Sequence, residues 1–326
     1  EFERKHPNKF GAYPKMLLYQ SPKFALHDTK SHPESVARIV HVNAMLKSSG
    51  WTERCKMPAW EPATQQQCAR IHPDSYLEAL QDWCEHDAGR VEVDTVVSKG
   101  SWTAATLGAG AVCDAVQRVV KGEDTTAFCA IRPPGHHALS SAPMGFCLLN
   151  NVAIGAQFAR SLGLNKVLIV DWDVHHGNGT QASFWEDPNV GFVSIHRFPF
   201  YPGTGKAEET GGGQAIGTKV NIPVAADIPA GEFLKRLFDA SEKLANEMHP
   251  DLILLSAGFD AHRNDPVGGL TLEAEHYQQA GEWICNLAKG HCGGKLVSLL
   301  EGGYHLQHMP VSVDAHLRGI ESACVA

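Results

Sequence analysis

The chain has 326 residues, 43% of them hydrophobic, and its 28 Lys and Arg stand against 36 Asp and Glu for a formal net charge of −8 with His neutral. That length and apolar fraction suit one large α/β domain with a sizeable core. The acidic balance excludes a global electrostatic footprint for nucleic acid and a polybasic membrane patch, and no apolar run approaches the roughly 18 residues that a spanning helix needs.

Nine cysteines, at 55, 68, 84, 113, 129, 147, 285, 292 and 324, are odd in number, scattered, and never spaced C-x-x-C. They read as reduced thiols, and Cys129 and Cys147 as small buried hydrophobes. This predicts an intracellular, cytoplasm-like compartment, with nucleus or organelle left open. Residues 1–15 read as an N-terminal extension ahead of a core at about 16–319. Glu1-Phe2 reads as a cloning scar or a trimmed boundary, which leaves room for a targeting segment upstream.

In chain order, Met16 to Tyr19 reads as a first strand, followed by a polar loop through His27-Asp28-Thr29 and His32-Pro33-Glu34-Ser35, then a helix from Val36 to Leu46. Pro73-Asp74 with Tyr76, Leu77 and Leu80 predicts a short helix capped by the Asp. The stretch Val91 to Ser98 alternates only partly, so periodicity leaves strand or loop open ahead of a helix over 101–120. Ala127 to Ile131 is a strand that ends in Arg132-Pro133-Pro134-Gly135-His136-His137, where two prolines forbid helix and ladder alike. Gly145-Phe146 follows, and a helix opened by Asn150 runs to Leu162.

The apolar run 167–170 predicts a strand buried on both faces, and it breaks abruptly into Asp171-Trp172-Asp173-Val174-His175-His176. Val190 to Ile195 continues the alternation, with an aromatic loop at 196–205. The glycine-rich stretch 211–217 precedes a strand at 218–224 and opens no helix, so it is no phosphate loop. A helix at 230–248, a strand at 252–255 ending near Asp260, a helix at 271–289 and a strand at 295–300 ending near Tyr304 complete the pattern. Such alternation predicts a single-domain α/β fold: a mostly parallel, doubly wound sheet with helices on both faces.

Four strand ends thus offer His136 and His137; Asp171, Asp173 and His175; Asp260; and Tyr304. In a parallel sheet these ends share one edge. Two carboxylates and one imidazole, Asp173, His175 and Asp260, suit a catalytic divalent site for zinc or iron(II) with a position open for water. No G-x-S-x-G elbow, H-E-x-x-H helix or Walker lysine loop is present, which disfavours a serine hydrolase, a zincin and a nucleotidase. Each piece alone has a plain structural reading as a turn, cap or hydrogen-bonded histidine, and their shared position carries the signal.

The runs Arg132–His137, Asp171–Gln181, Ser256-Ala-Gly-Phe-Asp260 and Glu301-Gly-Gly-Tyr304 resemble the zinc-dependent histone deacetylase family, in particular class II and its bacterial and plant relatives, over about Met16 to Gly319. The resemblance implies the arginase-deacetylase fold and hydrolysis of an acetylated amine, commonly acetyl-lysine, with one zinc on Asp173, His175 and Asp260. It implies His137 as general base, His136 as its electrostatic or acid partner oriented by Asp171, and Tyr304 as donor to the substrate carbonyl. It also implies a structural potassium ion near Asp171, Asp173, His175, Ser194 and Ile195. The tunnel would be walled by Gly145, Phe146 and the Phe200-Tyr201 pair, with Asp94 at the rim and the facing member of that pair left open. His176 is expected to be structural.

Two departures stand out. The family's usual His-Pro-Glu-Arg reads His32-Pro33-Glu34-Ser35 here, removing at that position an arginine tied to the inner channel and leaving compensation by Arg38 open. Val267 stands where polyamine-selective members carry glutamate, which favours acetyl-lysine peptides or proteins over acetylpolyamines and other small acetylated amines. A catalytically weak acyl-lysine reader is disfavoured by Tyr304, and a binuclear ureohydrolase by the lack of bridging carboxylates at His176 and Asn178. No direct nucleic-acid or membrane partner is expected, and the oligomeric state is open.

Overall fold

The structure, a computed structural model, describes residues 16–325; the expected N-terminal extension lies outside them. Seven strands form the central sheet: β1 (Met16–Tyr19), β2 (Thr126–Cys129), β3 (Val167–Asp171), β4 (Val190–Arg197), β5 (Lys219–Val224), β6 (Leu252–Ala257) and β7 (Leu296–Leu300). Their spatial order is β1-β2-β7-β6-β3-β4-β5, and every pairing is parallel. The helices that matter for packing are α1 (Val36–Ser48), α2 (Asp74–Glu85), α3 (Ser101–Val120), α4 (Asn151–Ser161), α5 (Ala230–Met248), α6 (Ala274–Cys292) and α7 (His308–Val325).

Successive side chains of a strand point to opposite faces. All residues of β2, β3, β6 and β7 are buried, so both faces of the central sheet are covered, as their apolar runs predict. Leu168, Ile169, Leu254 and Leu255 are fully excluded from water. Each such side chain contributes roughly 1.5–3 kcal/mol by burial, enough to hold the polar strand ends in one register. Asp171 pairs with Ser194 on one side and Ser256 on the other. The chemistry-bearing ends of β2, β7, β6 and β3 are therefore consecutive neighbours.

Some expected elements differ in detail. Asp74 does not cap α2: Pro73 is the N-cap, and Asp74 sits in the first turn, where its carboxylate accepts from Gln65 Nε2 (3.0 Å). The fixed φ of proline already sets the entry, and a first-turn acid is favoured by the helix dipole. The ambiguous stretch before α3 is a tight antiparallel pair, Gly89–Arg90 with Val96–Val97, so the residues between form a turn that displays Asp94. Asn150 caps α4 as expected, accepting from Ala153 N (3.1 Å). Helix α6 starts three residues late because Leu272 is bridged to His262, and Glu273 forms a capping box with His276.

Candidate active site

Asp173, His175 and Asp260 converge at the C-terminal ends of β3 and β6, all buried, with their ligand atoms within 4.8 Å of one another. His175 Nδ1 lies 3.1 Å from Asp173 Oδ1 and 3.2 Å from Asp260 Oδ2. Zinc bonds of about 2.0–2.1 Å at tetrahedral angles give ligand–ligand edges of about 3.3 Å, so the two edges at His175 match a zinc face, and the third is no longer than 4.8 Å. Asp260 Oδ2 is buried with no hydrogen-bond partner. Burial and the neighbouring Asp173 raise the Asp260 pKa; a cation is what this atom lacks. The residues fit the metal.

The remaining carboxylate oxygens are anchored. Asp260 Oδ1 accepts from Val174 N (2.9 Å) and Asp173 Oδ2 from Gly302 N (2.8 Å). The approach of the Gly302 turn is so close that a Cβ there would lie 2.2 Å from Asp260 Oδ2 and 2.5 Å from Asp173 Oδ2. Gly258 is under the same constraint, with 2.2 Å to Asp173 Oδ2.

His136 and His137 enter from the end of β2, their rings 4.0 Å apart. His136 Nδ1–H donates to Asp171 Oδ2 (3.0 Å), and Nε2 faces Asp173 Oδ1 at 3.8 Å. Burial opposes its charge, but Asp173 and Asp171 outweigh that and push it up to about 10. His137 behaves oppositely: burial, then the positive His136 and His175, hold it well below the ordinary imidazole range. Its Nδ1–H donates to Asn178 Oδ1 (2.7 Å), a neutral acceptor that fixes the tautomer and leaves Nε2 free as a base.

Tyr304, from the end of β7, is nearly buried; its ring meets Phe146 edge-on at 5.7 Å and the Arg38 guanidinium at 4.8 Å. Arg38 donates to Gly303 O (2.5 Å), Glu301 O (2.6 Å) and Glu34 Oε1 (2.9 Å). Three residues after Ser35, Arg38 reaches the tyrosine's turn from behind. Glu34 also accepts from Arg132 Nε (2.7 Å). Burial opposes its charge, but Arg132 and Arg38 keep its carboxyl below the usual range.

A cavity of about 220 Å³ opens above these groups, lined by Asp94, His137, Gly145, Phe146, His175, Phe200, Tyr201, Val267 and Tyr304. Both aromatic candidates line it: Phe200 stacks on His175 at 5.3 Å, and Tyr201 stands edge-on to His137 at 5.2 Å. Gly145 and Phe146 take successive left-handed φ values of 55° and 70°, a turn that needs outside support at the phenylalanine. Asp94 Oδ1 accepts from Gly145 N (3.1 Å), and Thr95 Oγ1 accepts from Phe146 N (3.0 Å). His176 lies off the cavity with both ring nitrogens engaged, by Thr204 Oγ1 (2.8 Å) and Gln181 Oε1 (3.1 Å).

Sequence reasoning gave no role to Asn178, Thr95, Asp265 or Glu301. Glu301 Oε2 accepts from Gly135 N (2.7 Å) and His136 N (3.3 Å), pinning the histidine loop. The signal for Glu301 was its place at a strand end, and for Asn178 its place inside the Asp171–Gln181 run.

A buried three-ligand divalent site with an oriented neutral imidazole beside it is the apparatus of a metal-dependent hydrolase. Residues 32–320 match the histone deacetylase domain. The chain is 37% identical over 293 residues to a probable deacetylase of Archaeoglobus fulgidus, spanning 89% of this chain and 81% of that one. It is 34% identical over 326 residues to the chloroplastic histone deacetylase 14 of Arabidopsis thaliana, spanning 93% and 76%. The crystal structure of the HDA15 HD domain superposes with a TM-score of 0.90 at 33% identity, covering 94% of this chain and 90% of that one. The chain belongs to the histone deacetylase family and is a hydrolytic deacetylase with the arginase-deacetylase fold. Among the described residues no helix is long and apolar enough to cross a membrane.

Proposed function

We propose that this protein hydrolyses the acetyl amide of acetyl-lysine in peptides or proteins, with zinc held by Asp173, His175 and Asp260. The observation that carries the reading is the cavity itself: apolar walls at Phe146, Phe200 and Tyr201 suit four methylenes, and His137 and Tyr304 stand together at the metal triad. When bound, zinc supplies Lewis acidity that polarises the amide carbonyl and makes water a better acid at neutral pH. His137 Nε2 takes the proton of the attacking water, because its other nitrogen is committed to Asn178. His136, held by Asp171, contributes positive charge beside the developing oxyanion and returns a proton to the leaving amine. The Tyr304 hydroxyl donates to the carbonyl oxygen as it gains charge. Asp94 braces the Gly145–Phe146 wall through Oδ1 and stands at the rim, where its carboxylate can accept a substrate backbone N–H.

Val267 in the wall, where a carboxylate would read an ammonium, supports acyl-lysine over acetylpolyamine. Asp171, Asp173, His175, Ser194 and Ile195 are assigned a monovalent cation, potassium by preference, on the strength of the Asp171–Ser194 register. Nine free thiols support a reducing compartment. The test is turnover of acetyl-lysine peptides, acetylpolyamines and small acetylated amines by zinc-loaded protein. Peptide kcat/KM at least tenfold above the others is expected. Preferential polyamine turnover overturns the substrate class, and tight acyl-peptide binding without hydrolysis overturns the activity.

A further inference from the structure

The Tyr304 hydroxyl is useful only where its turn is fixed, yet the two residues before it are Gly302 and Gly303, the latter at φ 120°. Three groups hold this turn. Asp173 takes Gly302 N and Arg38 takes Gly303 O. The tyrosine's own amide goes to Asp265, five residues beyond Asp260 on the loop after β6. Asp265 Oδ2 accepts from Tyr304 N (2.7 Å) and His305 N (3.2 Å). Its Oδ1 accepts from Val267 N (2.9 Å) and Gly268 N (3.0 Å). One buried carboxylate therefore gathers four N–H groups from two loops, and each loop contributes a lining residue of the cavity, Tyr304 or Val267.

We infer that Asp265 is the positioning residue for Tyr304, setting the distance between the phenol and the Val267 wall across the substrate. A carboxylate is required because all four partners are donors, and a rigid two-sided acceptor fixes two turns relative to each other with no intervening side chain. A purely structural cap would satisfy its own loop; this one spends half its capacity on the neighbouring strand's turn. The inference rests on the reading that Tyr304 donates to the substrate carbonyl.

The test is a double-mutant cycle on zinc-loaded protein, with kcat and KM for an acetyl-lysine peptide normalised to bound zinc. In Asp265→Asn the new amide NH2 points a donor at one pair of N–H groups whichever way it turns, so one loop is released. A displacement of the phenol on the order of 1 Å is expected to lower kcat roughly 10- to 100-fold, with KM within about threefold and one zinc per chain retained. Tyr304→Phe alone is expected to lower kcat by about 100-fold or more, and adding Asp265→Asn to it should change kcat less than about threefold. Parent-like kcat in Asp265→Asn, or an equal loss in both backgrounds, overturns the positioning role and leaves Tyr304 untouched. Parent-like kcat in Tyr304→Phe overturns the donor reading itself. If Asp265→Asn fails to fold, Asp265→Glu, which keeps the acceptors but moves them by one methylene, decides by the same criteria.

Discussion

Gly302→Ala probes how tightly the tyrosine's turn is wrapped around the metal ligands. The added methyl would sit 2.2 Å from Asp260 Oδ2 and 2.5 Å from Asp173 Oδ2. Ordinary van der Waals contact begins at 3.4 Å, so these oxygens or the turn must move by about 1 Å, several times the roughly 0.2 Å latitude of a zinc site. The displacement also breaks the Gly302 N to Asp173 Oδ2 bond of 2.8 Å. Overpacking costs about 1–3 kcal/mol, and loss of an anchoring hydrogen bond costs roughly 10- to 100-fold in metal affinity. Together these predict zinc affinity at least about 100-fold weaker, equivalent to roughly 2.7 kcal/mol. The assay is competition for zinc against a fluorescent chelator at fixed pH, with circular dichroism to verify the fold. A zinc Kd within threefold of the parent would refute the reasoning, because it would mean the turn can retreat without disturbing the carboxylates.

Three further outcomes follow from the same geometry. Asn178→Ala removes the acceptor that holds His137 Nδ1–H at 2.7 Å, so kcat should fall roughly 10- to 100-fold with zinc content unchanged; a kcat within twofold of the parent would show that the ring is held by packing alone. His72 is a neutral imidazole in the fold: Nδ1–H donates to Ser140 O (3.0 Å), Nε2 accepts from Asn150 N (2.9 Å), and burial lowers its pKa to about 4. The unfolded chain takes up a proton below about 6.5 and the folded one does not. Stability should therefore decline as pH falls from 6.5 to 4, by up to about 1.4 kcal/mol per pH unit for this group. Urea titrations at pH 7, 6 and 5 should give a shallower slope in His72→Gln, and an unchanged slope would count against it. Gly290 is exposed inside α6 with open space around a would-be Cβ, so Gly290→Ala should stabilise by about 0.5–1 kcal/mol in thermal melts.

The strands with chemistry at their ends were legible because parallel strands buried on both faces read as unbroken apolar runs, and polar switches at four such ends together have few innocent explanations, though each alone has one. Asp173, His175, Asp260, the tandem histidines and Tyr304 thus group from the sequence alone. What escaped were the residues whose work is long-range. Asp265 looks like any loop aspartate, and nothing local says that it bonds an amide 39 positions away. In sequence Asn178 reads only as the lack of a bridging carboxylate, although its value lies in being a neutral acceptor. Thr95 hid in a stretch whose two-residue strands are too short to leave a period of two. Arg38 was visible but undecided, because whether an arginine one turn into a helix reaches inward depends on what α1 packs against.

The sheet order has a consequence for how the molecule comes into being. Strand β7 is the last of the seven in sequence, yet it lies in the interior of the sheet, between β2 and β6. Until residues 296–300 are available, the chain holds two sheet fragments, β1-β2 and β6-β3-β4-β5, each with a raw inner edge of unpaired backbone groups. Such edges pair with other chains, and parallel, sequence-distant pairings form slowly. Synthesis from the N-terminus therefore leaves an aggregation-prone seam open until the seventh strand emerges, and the strand that seals it also delivers Tyr304. Closure of the seam and arrival of the phenol are one event.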